Sequence, residues 1–187
     1  MNDYAVIFIN YVEEIVRINK FVGKLKHEPS FDEDLIYRMV LSYAISIMDS
    51  FLGNTFRYYI NAYPLFRNQY MSWKIRKTKK REETELERLE HQSFQNLGNI
   101  VIPYYKHAFG IEIPPNDIIQ KAVNIRNSIV HNNSRAKDGY KNNVTLAFIE
   151  ELIPQIEKLV NFVYQQMIDV VSEKIIYERI KKSNLYR

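Results

Sequence analysis

The sequence predicts an all-α bundle of four or five principal helices, and three observations carry that reading. Apolar residues recur three and four positions apart in almost every segment. Gly and Pro are scarce, at 5 and 6 of 187 residues. No stretch sustains the alternation of apolar and polar residues that marks a half-buried strand. The length suits one domain with one core spanning residues 1–187, and no linker or internal repeat divides it.

The first helix is expected over about Asp3 to Lys26, with a stripe of Ile7, Tyr11, Ile15, Ile18 and Val22. Lys24, Lys26 and His27 suit its C-terminal dipole, and Pro29 breaks the chain. Ser30-Phe31-Asp32-Glu33 reads as a capping box for a second helix that ends near Tyr63, before Pro64. One face carries Ile36, Val40, Tyr43, Ile47 and Phe51; another carries Ile45, Leu52, Phe56, Tyr59 and Tyr63. A helix apolar on two faces belongs at the centre of a bundle.

A charged helical insertion is expected around 73–91, where Lys74, Arg76, Lys77, Lys79, Lys80 and Arg81 precede a run of glutamates. Leu86 and Leu89 give it only a thin apolar stripe, and Lys79–Glu83 and Arg81–Glu85 pairs would brace an exposed helix. Leu97 to Ala108 predicts another helix, stopped by Gly110. Pro114-Pro115-Asn116 opens the next, from about Asp117 to Val130, on a stripe of Ile118, Ala122, Ile125 and Ile129. After a polar loop over about 132–143, a long helix is expected from about Thr145 to Ile180, with Pro154 at its first turn or at a kink.

Composition narrows the chemistry. The absence of Cys excludes a disulfide framework, a Cys-ligated zinc and a thiol nucleophile. No Gly-rich phosphate loop occurs, and His27, His91 and His107 lack metal-ligand spacing beyond the single pair Glu87–His91, so no metal site is expected. No stretch is expected to be long and apolar enough for a membrane helix, and Met1-Asn2-Asp3-Tyr4 lacks a basic secretory start, so the expected location is cytoplasmic without a membrane partner. The net charge of +4 permits a nucleic-acid partner without requiring one. The six cations of 74–81, beside Tyr70 and Trp73, are candidates to grip an RNA backbone; a solvated helix face is the competing account.

The most informative stretch is Arg126-Asn127-Ser128-Ile129-Val130-His131. Arg126 falls within an apolar stripe, where a guanidinium stays charged and needs a carboxylate, a phosphate or a wet cleft. His131 lies five positions on, about 140° around an ideal helix, so the two converge only if the helix stops near Val130, if Arg126 curls along a groove, or if a second subunit contributes. The Asn132-Asn133-Ser134 run favours the first route. A structural role competes: Arg126 as half of a buried ion pair and His131 as a cap. Asp49, on an apolar face of the second helix, is the carboxylate expected to hold Arg126.

Arg, a polar residue, then His after four intervening positions, at the end of a helix in an all-α chain, resembles the motif of the HEPN superfamily (higher eukaryotes and prokaryotes nucleotide-binding domains). The run Val123 to Asn132, and Tyr104-Tyr105-Lys106-His107-Ala108-Phe109-Gly110-Ile111 before it, are similar to the prokaryotic stand-alone members. Asn133 stands where one toxin branch has Tyr, and the 74–90 segment matches no family pattern. The resemblance implies a HEPN-like bundle and a metal-independent, cofactor-free endoribonuclease, often a toxin or phage-defence effector with a neutralising partner protein. It also implies a homodimer, because one imidazole does not serve easily as both base and acid. His131 would then move the proton of a ribose 2′-OH or of the leaving 5′-oxygen, Arg126 would bind the scissile phosphate, and Asn127 would orient either. A catalytically inactive HEPN-like module that binds RNA or protein is the alternative, and a helical adaptor without a nucleic-acid role is a third.

Overall fold

The second helix sets the plan, because its apolar faces need cover on several sides. In a computed structural model, which describes residues 3–27, 32–79, 81–131 and 143–184, seven α-helices and one π-helical turn are formed and no strand occurs among these residues. They are α1 (Asp3–Leu25), α2 (Glu33–Ala62), α3 (Pro64–Thr78), α4 (Glu82–Glu90), the π turn (Leu97–Val101), α5 (Ile102–Phe109), α6 (Asp117–His131) and α7 (Leu146–Asn184). Helix α2 packs against α1, α3, α6 and α7. The chain is therefore all-α; α1, α2, α6 and α7 make a bundle, and α3, α4, the π turn and α5 form a second group joined through α3.

The core of the second group is aromatic. Phe56 of α2 is fully buried, with the rings of Tyr70, Phe94, Tyr104, Tyr105 and Phe109 centred 5.2–5.5 Å from its own. Edge-to-face and tilted contacts of this kind add to the burial itself. The Tyr105 hydroxyl donates to the Leu52 carbonyl at 2.8 Å, which satisfies a polar atom deep in the core. In the bundle, Ile45, Ile149, Ile153, Ile156, Val160 and Val163 are closed off from solvent, as their helical spacing predicts.

Several boundaries differ from expectation for local reasons. Asp32 caps α2, its carboxylate accepting from the Leu35 amide at 3.1 Å; Ser30, the expected cap, lies outside the described residues. The charged segment is no single exposed helix. It breaks after Thr78, where Lys79 adopts a left-handed φ of 57°, and resumes at Glu82. Lys79 and Arg81 thus stand outside helices, and the expected glutamate pairings give way to Arg67–Glu82 at 3.1 Å and Arg88–Glu85 at 3.6 Å. Leu89 and Glu85 are both buried, so the thin stripe of α4 is a packed face. The Leu97–Ala108 helix divides into the π turn and α5, with Pro103 in the first turn of α5 and Gly110 as its left-handed cap. Helix α2 also contains an 18-residue window of mean hydropathy 1.4, long and apolar enough to cross a membrane by length and composition, against expectation. Its place among four other helices accounts for that apolarity.

Truncating the hub should be costly. Phe56→Ala is expected to lose about 3–5 kcal/mol in urea unfolding, against about 1 kcal/mol for Ile7→Val at the partly buried rim of α1.

Candidate functional site

Helix α6 carries the motif. Its start is fixed by Asn116, whose side-chain oxygen accepts from the Ile119 amide at 3.0 Å and whose amide donates to Gln155 of α7 at 3.1 Å. Ile119, Ala122, Val123 and Ile125 are buried against the bundle. The Ser128 hydroxyl donates to the Ile125 carbonyl at 2.7 Å, a back-bond within the last turns. Arg126 and Asn127 are half-buried beside this face, and Arg126 Nη1 donates to Asn127 Oδ1 at 3.3 Å. The cation and the amide of the motif are therefore in contact.

The described helix ends at His131, one residue past the expected end near Val130. Positions 126 and 131 are about 140° apart around an ideal helix and about 7.5 Å apart along its axis. Asn132-Asn133-Ser134, expected to stop the helix, lies outside the described residues. The side chain of Val130, next to His131, is 54% exposed.

The expected Asp49–Arg126 ion pair is not formed. The Asp49 carboxylate accepts instead from the Ser93 hydroxyl at 3.0 Å and from the Phe94 backbone amide, in a short contact. Among the described residues Arg126 has no carboxylate within ion-pair distance. Asp49 belongs to a different arrangement, with Gly53 and Arg57 at successive four-residue steps of α2. Arg57 Nη1 donates to the carbonyls of Leu89 and Gln92 at 3.2 and 3.1 Å. Gly53 leaves room between them: a Cβ there would lie 2.8 Å from Arg57 Nη2 and 3.2 Å from Phe94 Cδ2. The signal was present as Asp49-x-x-x-Gly53-x-x-x-Arg57 on one helix, but it does not say what the seam holds.

The six candidate cations of 74–81 divide. Lys74 donates to the Tyr104 hydroxyl at 2.5 Å and lies 4.4 Å from that ring's centre, so it is bound into the fold. Arg76, Lys77, Lys79 and Arg81 are exposed, and Lys80 lies outside the described residues. Lys77 Nζ is 5.4 Å from the centre of the Trp73 ring. That ring stacks on His107 of α5, with centroids 4.4 Å apart and planes 14° from parallel. Burial lowers the pKa of His107 from its ordinary value, and Lys106, Arg76 and Lys77 lower it further. Trp73, Arg76, Lys106, His107 and, from α7, Lys174 line one groove. Neighbour spacing does not foretell this convergence of three helices.

Among the described residues no three His, Asp or Glu side chains are grouped to hold a metal ion. No family model, curated protein or solved structure matches this chain.

Asp49→Ala should cost about 1–3 kcal/mol in urea unfolding, because it strands a buried amide, whereas Arg126→Ala should cost under about 1 kcal/mol rather than the 3–5 kcal/mol of a broken buried pair. The folded pKa of His107 lies below its unfolded value, so the unfolded chain takes up the proton first. The stability contributed by neutral His107 is then present above about pH 6.5 and lost as pH falls through the folded pKa. A His107→Gln chain should show a smaller drop in urea midpoint on acidification from about pH 7.5 to about pH 5.5.

Proposed function

We propose that the chain is a HEPN-like, metal-independent endoribonuclease that acts as a homodimer, with Arg126, Asn127 and His131 as its working groups. The observation that carries this reading is the state of Arg126. It is half-buried, held by Asn127 of the motif, and without a carboxylate partner among the described residues. A permanent cation in that setting is suited to an anion brought from outside, and a scissile phosphate is such an anion. An ion-pair role for Arg126 loses its expected partner, because Asp49 serves Ser93 and Phe94.

In the reaction, a ribose 2′-oxygen attacks the adjacent phosphorus. The P–O2′ bond forms, the P–O5′ bond breaks, and the product strand ends in a cyclic phosphate. One His131 imidazole accepts the 2′-OH proton and the other, protonated beforehand, gives its proton to the leaving 5′-oxygen. Arg126 stabilises the charge that builds on the phosphoryl oxygens. The base and acid roles are assigned to two copies of His131 across a dimer because one imidazole does not easily serve as both. A role as toxin or phage-defence effector, with a neutralising partner protein, rests on the sequence resemblance.

The separation of positions 126 and 131 around the helix favours the second reading, an inactive RNA- or protein-binding module, if the chain stays monomeric. The test is incubation of the purified protein with total RNA in EDTA, beside sedimentation analysis. Cleavage by the dimer is expected, falling at least about 100-fold in both Arg126→Ala and His131→Ala with melting temperature retained. Intact RNA in the presence of a well-folded dimer would overturn the ribonuclease reading.

A further inference from the structure

We propose that the groove between α3, α5 and α7 is a binding site for single-stranded RNA, with a base stacked on the Trp73–His107 pair and phosphates held by Arg76, Lys106 and Lys174. The choice of RNA rests on the function proposed above; the groove itself is independent of the α6 motif. Its floor is a preformed aromatic platform, since the indole and imidazole already lie parallel and in contact. His107 is exposed and lines the groove, so imidazole surface is accessible there to a further ring. Every nucleobase has such a face, and stacking of this kind is the usual means of holding single strands without reading their sequence.

The rim is cationic and amidic. Arg76, Lys106 and Lys174 surround the platform with Asn68, Gln69 and Ser72, and among the described residues no carboxylate lines the groove. Glu112 accepts from Lys106 at 2.8 Å, but it is 77% exposed and competes only through a solvated pair. Lys174 crosses from α7 to α3, its ammonium 4.7 Å from the centre of the Phe66 ring and 3.4 Å from Gln69 Oε1. Burial lowers the pKa of Lys174, opposed by Glu173, and neighbouring cations help lower that of His107. An anion in the groove would relieve both. The volume, about 520 Å³, falls in the range of small-ligand clefts. A duplex keeps its bases stacked within pairs and offers no face to His107, so the platform selects unpaired nucleotides.

Trp73 is the single tryptophan of the chain, so its emission reports on this site directly. A short unstructured RNA is titrated into the His131→Ala chain. Tryptophan emission and the anisotropy of a labelled strand are followed together. The expected result is saturable quenching with the same midpoint as the anisotropy change. Arg76→Glu and Lys106→Glu, both at exposed positions, should each weaken binding about tenfold or more and flatten its dependence on the logarithm of salt concentration by about 0.7 per cation lost. Trp73→Ala, read by anisotropy, should weaken it about tenfold. Absence of RNA binding, or binding with unaltered emission and undiminished affinity in the variants, would overturn the groove; cleavage by the intact chain in EDTA would still stand as a separate result. Equal affinity for DNA of the same sequence would overturn the assignment to RNA. Quenching without cleavage by the intact chain would keep the groove and remove the ribonuclease reading.

Discussion

A non-helical segment pressed against a helix must find partners for its backbone groups, and that requirement shapes half of this molecule. Residues 92–96 run without regular structure between α4 and the π turn, and they lie on α2. Asp49 takes the amide of Phe94, Arg57 takes the carbonyls of Leu89 and Gln92, and Gly53 lets the segment come close. Phe94 can then enter the ring cluster around Phe56, with the Arg57 guanidinium 5.6 Å from its centre. Once the segment is pinned, α4 and α5 are placed on either side of it. The Trp73–His107 stack follows, since it needs α3 and α5 side by side.

Helical periodicity made the long elements legible, because it records which positions are buried. The extents of α1, α2, α6 and α7 and most of their core faces could be read that way. Periodicity does not record what a buried polar residue touches. Asp49 is legible as a carboxylate on an apolar face, yet its partners sit more than forty positions away in a segment without periodicity. The capping of α2 by Asp32 turned on two polar residues close together, either of which has the chemistry of a cap. The split of the charged segment at Lys79 uses a left-handed conformation in a lysine, which no composition rule anticipates. The motif residues of α6 and the end of their helix were legible; the contact of Arg126 with Asn127 was not, since periodicity records burial and not partners.

The fold also sorts a run of like charges into unlike environments. In sequence, Lys74 and Arg76 are equivalent members of one basic cluster. In the structure, about half a turn of helix separates a lysine satisfied by Tyr104 from an arginine at the rim of an open groove. Lys174, about a hundred positions away, joins the second environment and not the first. Local charge density was therefore a poor guide to the field at the surface, and the aromatic rings were the better markers of where cations gather.

The apolarity of α2 has a consequence for how the chain comes into being. Its cover is supplied partly by α7, which begins at Leu146, while α2 is complete at Ala62. At the usual pace of synthesis, that interval is on the order of ten seconds. For that time a helix apolar enough to enter a bilayer is shielded only by α1 and whatever of α3–α6 has emerged. Until α7 emerges, the nascent chain thus lacks part of the cover that its own sequence provides for α2. Slow or stalled translation between these helices would be expected to lower the yield of native protein without altering a single native contact.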